Sequence, residues 1–588
     1  MDLNQRPFGY EPNELPGCST PRCKYSSILT LIYIIVNPIW KGRELWYNNL
    51  MFRRFMKKIS DFFSKISTWT KKHKTVFALI ITTIFVLAQI PLLLNHEIWN
   101  DEAVSWGLSK RINLTNAYEV NAAEPHPLLW QFIIAPFSQN GFPTIAMNII
   151  ALVFVSAAVF LMVRFAPMGF FTKLLFILSS GFFYYNPVIA RGYSLIPLAV
   201  TLVCIAYKKR HEKPFLYGLS LAFLTQTHFL MYGFAGALTI GFIIEETFKK
   251  EKAKKMIITI LLCIVPVLLS VVSTLPMVFG SFNEQAIITG KAFEYTSDEY
   301  RALFIPNAVA TYFGIYNDAL AWACLGLIII AAIIVFAENI KVALYAFCGL
   351  GLWAYVLCAI YQGYSVFNQK VSIVVLILFA IVWLLTLEKD DKRKNIISKF
   401  LDCSEIIKFL RIKMKIPATV ILTFIVAASI PCVMFNAVED LNKPFSNSKE
   451  VATFVNETIE DDALIILADP YAHYAFGAAA MEQITKNVKI YNIVFESFDS
   501  YGYQLQYSNA SISKVQDYIG FTDAALAHKL ADLSKDYEHV YYVVGIPSCK
   551  NVDSYNSDVL GNYEVITTLN EGDYLDVTHA PVRVHKIK

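Results

Sequence analysis

Four short segments of the chain place acids, imidazoles or a guanidinium beside apolar runs. They are NHEIWNDEA (95–103), NAAEPHPLLW (121–130), YYNPVIARGYSL (184–195) and LTQTHFLMYG (224–233). Ionisable side chains next to lipid are costly and usually face a cavity or a partner, so they are functional candidates. A carboxylate such as Asp101 can deprotonate a hydroxyl group, and a cation such as Arg191 can stabilise a departing phosphate. Together they suit group transfer from an anionic, lipid-linked donor.

Each of these residues also has an ordinary structural explanation. Asp101 and Glu102 suit the first turn of a helix, where acids interact favourably with the helix dipole. His126, between two prolines, can serve loop packing, and Arg191 can reach lipid head groups. His228 can be a buried histidine whose hydrogen bonds are satisfied. The catalytic interpretation depends on all of them lying on one membrane surface.

The composition is that of a membrane protein. Of the 588 residues, 55% are hydrophobic and only 17% are charged, and the mean hydropathy is +0.45. Soluble domains have about 45–50% apolar and about 25% charged residues. Because a helix needs about 20 apolar residues to cross the hydrocarbon, we predict a polytopic α-helical membrane protein. Eleven segments meet or approach that length: 75–94, 143–163, 174–189, 193–207, 215–229, 231–246, 256–279, 318–337, 341–361, 371–387 and 416–435.

Lys and Arg are concentrated in alternate connections between these segments, and this bias predicts the orientation. The basic stretch 53–74 is predicted to be cytoplasmic, and the connections 208–213 and 249–255 follow on the same side. By alternation, the four segments named first lie on the exterior face. The net charge of +4 is accounted for by these basic connections, so we expect no nucleic-acid partner.

The N-terminal region, 1–74, is predicted to be cytoplasmic. Its apolar stretch 26–40 is shorter than a full span and ends near a proline, which favours an interfacial helix. A full span and a secretory signal peptide are the alternatives. Cys18 and Cys23 have no further pair of Cys or His residues nearby, so no zinc site is predicted there.

The predicted membrane domain, 75–435, is followed by a polar C-terminal region, 436–588, that we predict to be an exterior α/β domain. Such an alternation of helical and strand-like patterns favours a largely parallel sheet. No phosphate-binding glycine motif is visible, so an accessory or acceptor-contacting domain is favoured over an independent enzyme. The helical patterns lie at 448–459, 472–481 and 524–533, and the strand-like runs at 463–469, 489–494 and 539–545.

The ordered motifs resemble the GT-C superfamily of polyprenyl-phosphate-sugar glycosyltransferases, in the branch of protein O-mannosyltransferases and the lipid A aminoarabinose transferase. In that family an Asp-Glu pair follows the first span, as in WNDEA (99–103), and a His-Pro-Pro-Leu motif follows in the same loop, as in EPHPLL (124–129). An Ala-Arg-x-Tyr motif starts the fourth span, as in ARGY (190–193), and a Thr-His-aromatic motif ends the fifth, as in THF (227–229). The resemblance covers roughly 75–250, and the plan of about eleven spans with an exterior C-terminal domain is similar too.

The resemblance implies a role for each matched residue. Asp101 is the general base or the acid that binds the acceptor, and Glu102 supports it. His96 and Glu97 match no motif and are interpreted as loop residues. The residues implied to contact the lipid phosphate, the sugar or, for the last two, a divalent metal are His126, Arg191, Tyr193, His228 and Glu124.

The sequence departs from the family pattern at three positions. Val104 stands where some relatives have a phosphate-contacting Arg, which transfers that role to Lys110 or Arg111. Leu128 replaces the second proline, and Asn100 precedes the acids where related chains often have His. These departures leave the donor's identity and the need for a metal open.

We therefore expect an inverting glycosyltransferase in a bacterial plasma membrane. It would move a hexosyl or pentosyl group from a polyprenyl-phosphate carrier to a lipid, glycan or protein acceptor on the exterior face. One acid without a covalent nucleophile suits a single in-line displacement. The alternative is a transporter or flippase, which predicts inverted repeats that the sequence does not show. A nonenzymatic scaffold leaves Asp101 and Arg191 unexplained.

Overall fold

The structure, a computed structural model, describes much of the chain from residue 69 to the C-terminus, and these residues are mostly helical. The predicted cytoplasmic region, with its apolar stretch 26–40, lies almost wholly outside them. The described residues are 69, 72–123, 126–249, 252–279, 318–359, 368–388, 417–468, 483–493, 498, 523–545, 563–569 and 582–588.

The described residues up to 442 form a series of helices. Short 3₁₀ turns, Gly192–Leu195 and Phe229–Met231, lead into α7 and α9. The helices are α1 Lys74–Asn95, α2 Asn100–Arg111, α3 Ala117–Ala123, α4 Leu129–Ser138, α5 Ile145–Phe165, α6 Phe170–Leu178, α7 Ile196–Tyr207, α8 Pro214–Thr225, α9 Tyr232–Thr247, α10 Ala253–Ser273, α11 Leu275–Phe279, α12 Asp318–Glu338, α13 Ile340–Ala359, α14 Asn368–Leu387, α15 Ala418–Ala427 and α16 Ile430–Asn442.

Six helical stretches among the described residues are long and apolar enough to cross a membrane. Each coincides with a predicted span, which confirms the prediction of a helical membrane protein. Other apolar helices, such as α7 and α8, are shorter than 18 residues, so the count of eleven spans stays a prediction. The six long stretches are Lys74–Asn95, Ile145–Phe165, Phe229–Thr247, Ala253–Ser273, Gln369–Leu387 and Ala418–Asn442.

The predicted span at 174–189 is wrong in its second half. Helix α6 ends at Leu178, and residues 179–191 are irregular although nearly all of them are buried. Pro187 lacks a backbone N–H and disfavours helical geometry in the residue before it. Tyr184 adopts a left-handed conformation with φ 62°. Irregular backbone of this kind persists at membrane depth only where protein or a cavity surrounds it.

Glycine residues let neighbouring helices approach closely. At Gly218 in α8, an added Cβ would overlap the carbonyl oxygen of Cys263 in α10. At Gly233 in α9, it would overlap the carbonyl oxygen of Cys348 in α13. Helix association in lipid relies on such close packing, because the lipid tails are as apolar as the side chains.

After α16 the described residues form two further helices and a five-stranded sheet. The strand order is β2-β1-β3-β5-β4. Strand β1 is parallel to β2 and β3, whereas β5 is antiparallel to β3 and β4. The elements are α17 Ser448–Thr458, β1 Leu464–Leu467, β2 Lys489–Asn492, α18 Asp523–Leu533, β3 Val540–Gly545, β4 Glu564–Leu569 and β5 Val582–Lys586.

The C-terminal sheet is mixed, where a largely parallel sheet was expected. Strands β1 to β3 and helices α17 and α18 coincide with predicted elements, and the predicted helix 472–481 lies outside the described residues. The sequence pattern does not predict β4 or β5. Only Leu569 of β4 is fully buried, so that strand lacks the apolar run that reveals β1.

Candidate active site

The WNDEA motif forms the start of α2. Asp101 and Glu102 lie in its first turn, and Glu102 Oε2 accepts a hydrogen bond from the backbone N–H of Trp99 (3.4 Å). The helix-cap explanation therefore applies to Glu102. The two carboxylates diverge, because successive residues on an α-helix point about 100° apart. Glu102 is completely buried, whereas the Asp101 side chain is 33% exposed.

Glu102 belongs to a buried ion cluster with His96 and Asp440. His96 Nε2 lies 2.9 Å from Glu102 Oε2, and His96 Nδ1 lies 3.1 Å from Asp440 Oδ2. Burial by itself would lower the pKa of His96, but the two carboxylates outweigh it and raise that pKa to about 10. His96 is therefore an imidazolium at neutral pH that donates from both nitrogens. His96 lies in the short connection between α1 and α2, as expected of a loop residue, and there it joins two buried carboxylates that the sequence does not connect with it.

The second oxygen of Glu102 holds the ARGY motif in place. Glu102 Oε1 accepts hydrogen bonds from the backbone N–H of Ala190 (2.6 Å) and from Asn148 Nδ2 (3.1 Å). Ala190 directly precedes Arg191, so this contact fixes the position of Arg191 relative to α2. Both oxygens of Glu102 are thus occupied by structural partners, which gives this residue a positioning role.

Side-chain amides support the irregular segment between α6 and α7. Gln369 Nε2, at the start of α14, donates to the carbonyl oxygens of Tyr185 (2.9 Å) and Ile189 (3.1 Å). Asn148 Nδ2 donates to the carbonyl oxygen of Val188 (2.8 Å). These bonds satisfy buried backbone groups that a helix would otherwise pair internally. The segment can therefore present ARGY without helical structure.

Asp101 and Arg191 form a partly exposed ion pair. Arg191 Nη1 lies 2.7 Å from Asp101 Oδ2, and the Arg191 side chain is 17% exposed. The guanidinium lies 5.7 Å from the ring centre of Trp99 and 5.4 Å from that of Tyr193, within cation–π range. Lys370 in α14 interacts electrostatically with both members of the pair. The N–H groups of the Arg191 guanidinium suit an anionic ligand.

Two histidines lie next to this ion pair and line a small cavity. The rings of His126 and His228 are 4.9 Å apart, and the ring of Tyr193 lies 4.4 Å from that of His228. Gly192 allows this approach, because an added Cβ would lie 3.3 Å from the carbonyl oxygen of Thr227. The cavity has a volume of about 20 Å³, enough for one water molecule. Its lining residues are Ser105, His126, Pro127, Trp130, Gln131, Arg191, Gly192, Tyr193 and His228.

Four of these lining residues carry a buried polar atom without a hydrogen-bond partner in the described part of the chain. The atoms are Trp130 Nε1, Gln131 Oε1, Tyr193 Oη and His228 Nε2. His228 Nδ1 accepts a hydrogen bond from the backbone N–H of Leu230 (3.1 Å), which assigns the proton of the neutral ring to Nε2. Three of the four are therefore donors. Since an unpaired buried polar group costs about 1–3 kcal/mol, this arrangement suits a water molecule or a ligand with oxygen acceptors.

The residues considered for a divalent metal are not arranged as ligands. In the arrangement just described, His228 Nδ1 is used by the backbone and Nε2 carries a proton. Glu124 lies outside the described residues. Within the ranges that the structure describes, no three His, Cys, Asp or Glu side chains converge to hold a metal ion.

Lys110 and Arg111 lie away from the cavity. They occupy the last turn of α2, a rise of about 14 Å along the helix axis from Asp101, and neither lines the cavity. The suggestion that they replace a phosphate-contacting Arg at Val104 is therefore not supported. Lys370 interacts electrostatically with the ion pair and is the better placed basic residue.

Several residues of this region were not among the candidates predicted from the sequence. Trp130 and Gln131 follow the EPHPLL motif directly, and Trp130 belongs to a segment already singled out. Lys370 is a cation at the start of an apolar span, and the reasoning applied to Arg191 would have found it. No sequence signal connects Asp440 with His96, because 344 residues separate them.

No protein-family model, curated protein or solved structure matches this chain. These comparisons neither identify the GT-C superfamily nor point to another family. The geometry of the site and its motifs are therefore the basis for a proposed function.

Proposed function

We propose that this chain is an inverting, polyprenyl-phosphate-dependent glycosyltransferase. The observation that carries the proposal is the Asp101–Arg191 ion pair at a cavity lined by unpaired hydrogen-bond donors. A partly exposed carboxylate can accept a proton, and neighbouring cations can stabilise a departing phosphate. The apolar helices around the site would accommodate a lipid carrier.

The reaction would be a single in-line displacement. The acceptor hydroxyl gives its proton to Asp101, and its oxygen forms a bond to the anomeric carbon of the sugar. The bond from that carbon to the phosphate oxygen breaks, and its electron pair leaves with the polyprenyl phosphate. Attack from the opposite face inverts the anomeric centre.

Arg191 and Lys370 would bind the phosphate. A guanidinium has five N–H donors, so Arg191 can keep its contact with Asp101 through Nη1 and bind phosphate oxygens through the others. Lys370 interacts with the same pair, and a bound phosphate would favour its protonated form. The leaving group's charge is then compensated by side chains that are already in position.

The unpaired donors of the cavity would bind oxygen atoms of the donor substrate. Trp130 Nε1 and Tyr193 Oη are buried and lack partners among the described residues. The neutral His228 ring offers its Nε2–H in the same way. Phosphate oxygens and sugar hydroxyls accept such hydrogen bonds, so substrate binding removes the cost of leaving these atoms unpaired.

The proposal also includes the arrangement of the protein in the membrane. We place the enzyme in a bacterial plasma membrane with eleven spans, and with the site and the C-terminal α/β domain on the exterior face. The domain would contact a lipid, glycan or protein acceptor. The basic connections on the other side of the spans support this orientation.

The test is turnover of a labelled polyprenyl-phosphate sugar by the full chain reconstituted in liposomes with candidate acceptors. Asp101→Asn should reduce transfer by about 10²–10⁴-fold, the usual contribution of a general base. It should leave the thermal unfolding midpoint unchanged. Asp461→Asn, an exposed acid in the C-terminal region, is the matched control and should transfer at the normal rate.

Two outcomes would contradict the proposal. Near-normal turnover by Asp101→Asn would show that another group accepts the proton. If the wild-type chain moved the labelled lipid across the bilayer without cleaving it, the chain would be a transporter or flippase.

A further inference from the structure

The charged residues at the end of the helices away from the active site form a closed network. Arg210 contacts Glu245 (2.7 Å) and Glu388 (3.2 Å). Lys341 contacts the same two acids, at 2.8 Å each. These ion pairs connect the α7–α8 turn with α9, α13 and the end of α14. Their charges compensate one another, so this network needs no ligand to explain it.

Lys209 and Lys213 remain outside this network. Both are exposed, and neither forms an ion pair with a residue that the structure describes. They stand at one end of an open groove of about 480 Å³ between α7 and α8. Apart from the lysines and Ser220, the groove is lined by Leu202, Ile205, Ala206, Leu216, Leu219 and Phe223.

The length of the groove matches one leaflet of a bilayer. From Lys213 to Phe223 the chain rises by about 15 Å along α8, which is half of the roughly 30 Å hydrocarbon core. An acyl chain that enters from the lysine end would therefore reach its natural depth near Phe223. Leu216 and Leu219 are each 50% exposed along this path.

The side chains of the groove favour a flexible lipid over a partner helix. Helix–helix contacts in membranes are enriched in small residues that let two backbones approach. Here the wall consists mainly of Leu, Ile and Phe side chains. Two unpaired lysines at one end complement a negative charge, and each lysine near an anionic membrane surface favours binding.

We propose that this groove binds one anionic phospholipid. Its head group would contact Lys209 and Lys213, and one acyl chain would lie between α7 and α8. This site is separate from the active site, because its charged end lies at the opposite end of α7 and α8 from Arg191 and His228. Phe223 also packs against the apolar cluster that contains Trp130, so the bound lipid would support the wall of the active-site cavity.

The test is lipid binding by the full chain in phosphatidylcholine nanodiscs doped with phosphatidylglycerol, measured by native mass spectrometry. The double variant K209Q/K213Q should lose about 30-fold in affinity for phosphatidylglycerol, the effect of two lysines near the head group. The matched control K252Q/K254Q removes two exposed lysines from the start of α10 and should bind normally. Equal losses in both double variants would overturn the site, because they would show general charge attraction.

A second variant tests the apolar part of the groove. Leu219→Trp fills the space between α7 and α8 and should weaken binding of phosphatidylglycerol even though both lysines remain. Unchanged binding would place the lipid elsewhere and overturn the proposal. Arg191→Gln should leave phosphatidylglycerol binding intact, so the lipid site and the proposed glycosyl transfer can fail independently.

Discussion

Asp101 and Glu102 are neighbours in the sequence, but the fold gives them opposite surroundings. Glu102 is sealed between His96, Asn148 and the backbone of Ala190, whereas Asp101 is partly exposed beside Arg191. One carboxylate is used to hold the site together, and the other is free to approach a substrate. The lesson is that a pair of adjacent acids need not act as a pair.

The same contrast holds for the cations that these acids meet. His96 is enclosed between two carboxylates and has no donor left for a ligand. Arg191 forms an ion pair with Asp101 and lines a cavity. The buried cluster joins one imidazolium to two carboxylates, whereas the partly exposed one pairs a single carboxylate with a guanidinium. Mutations in the two clusters should therefore affect different properties.

The largest expected effect on stability is at the buried cluster. Glu102→Gln replaces a buried acceptor oxygen by an NH₂ group that would face N–H donors, and it should reduce the free energy of unfolding by about 1–3 kcal/mol. Denaturation in mixed micelles would measure the change. Glu212→Gln, at an exposed acid, is the control and should unfold like the wild type. Wild-type stability in Glu102→Gln would contradict the positioning role.

The next prediction tests the role of the unpaired hydrogen-bond donors in the cavity. Trp130→Phe keeps the ring but removes its N–H, and kcat/KM should fall by about 10–100-fold, the range for a hydrogen bond to a charged group. Steady-state kinetics with the labelled donor would measure it.

Trp106 provides a matched control for this prediction. Its Nε1 is also buried without a partner among the described residues, and it belongs to the same apolar cluster, but it does not line the cavity. Trp106→Phe should therefore leave kcat/KM unchanged. A similar loss in both variants would show that the indole N–H of Trp130 acts through packing alone.

Features formed by residues that are close in the sequence could be predicted, whereas contacts between residues far apart in the sequence could not. Apolar runs are local, so the six long helices were predictable. The motifs that contain Asp101, Arg191 and His228 can be recognised in the sequence because each stands at the end of an apolar run. The contact of Asp440 with His96 cannot be predicted, because a polar residue after the last predicted span has no periodic pattern that indicates its partner.

The tautomer of His228 and the fate of Glu102 could not be predicted for a related reason. Both are decided by single backbone N–H groups, those of Leu230 and Ala190, which lie in irregular turns. Periodicity predicts regular elements but not the course of a turn. The family resemblance implies a supporting role for Glu102, but only the turn before Arg191 shows which groups that acid contacts.

The buried cluster also makes stability depend on pH. Because folding raises the pKa of His96 from about 6.5 to about 10, its contribution to stability is complete below pH 6.5 and is lost as the pH rises through 10. The free energy of unfolding should fall by up to about 1.4 kcal/mol per pH unit within this window. Unfolding measured from pH 6 to pH 10 should show this slope in the wild type and a flatter one in His96→Gln. Equal slopes would show that another group titrates.

The smallest effect is expected at the far end of α2. Lys110→Gln and Arg111→Gln should change kcat/KM by about twofold or less, as surface substitutions usually do, because helix geometry holds them about 14 Å from Asp101. Lys370→Gln should reduce kcat/KM more strongly, since Lys370 interacts electrostatically with the ion pair. Kinetics of the three variants with one donor would rank them. If Lys110→Gln or Arg111→Gln proved the more damaging, the phosphate would lie along α2, and the cavity beside Arg191 would hold the acceptor instead.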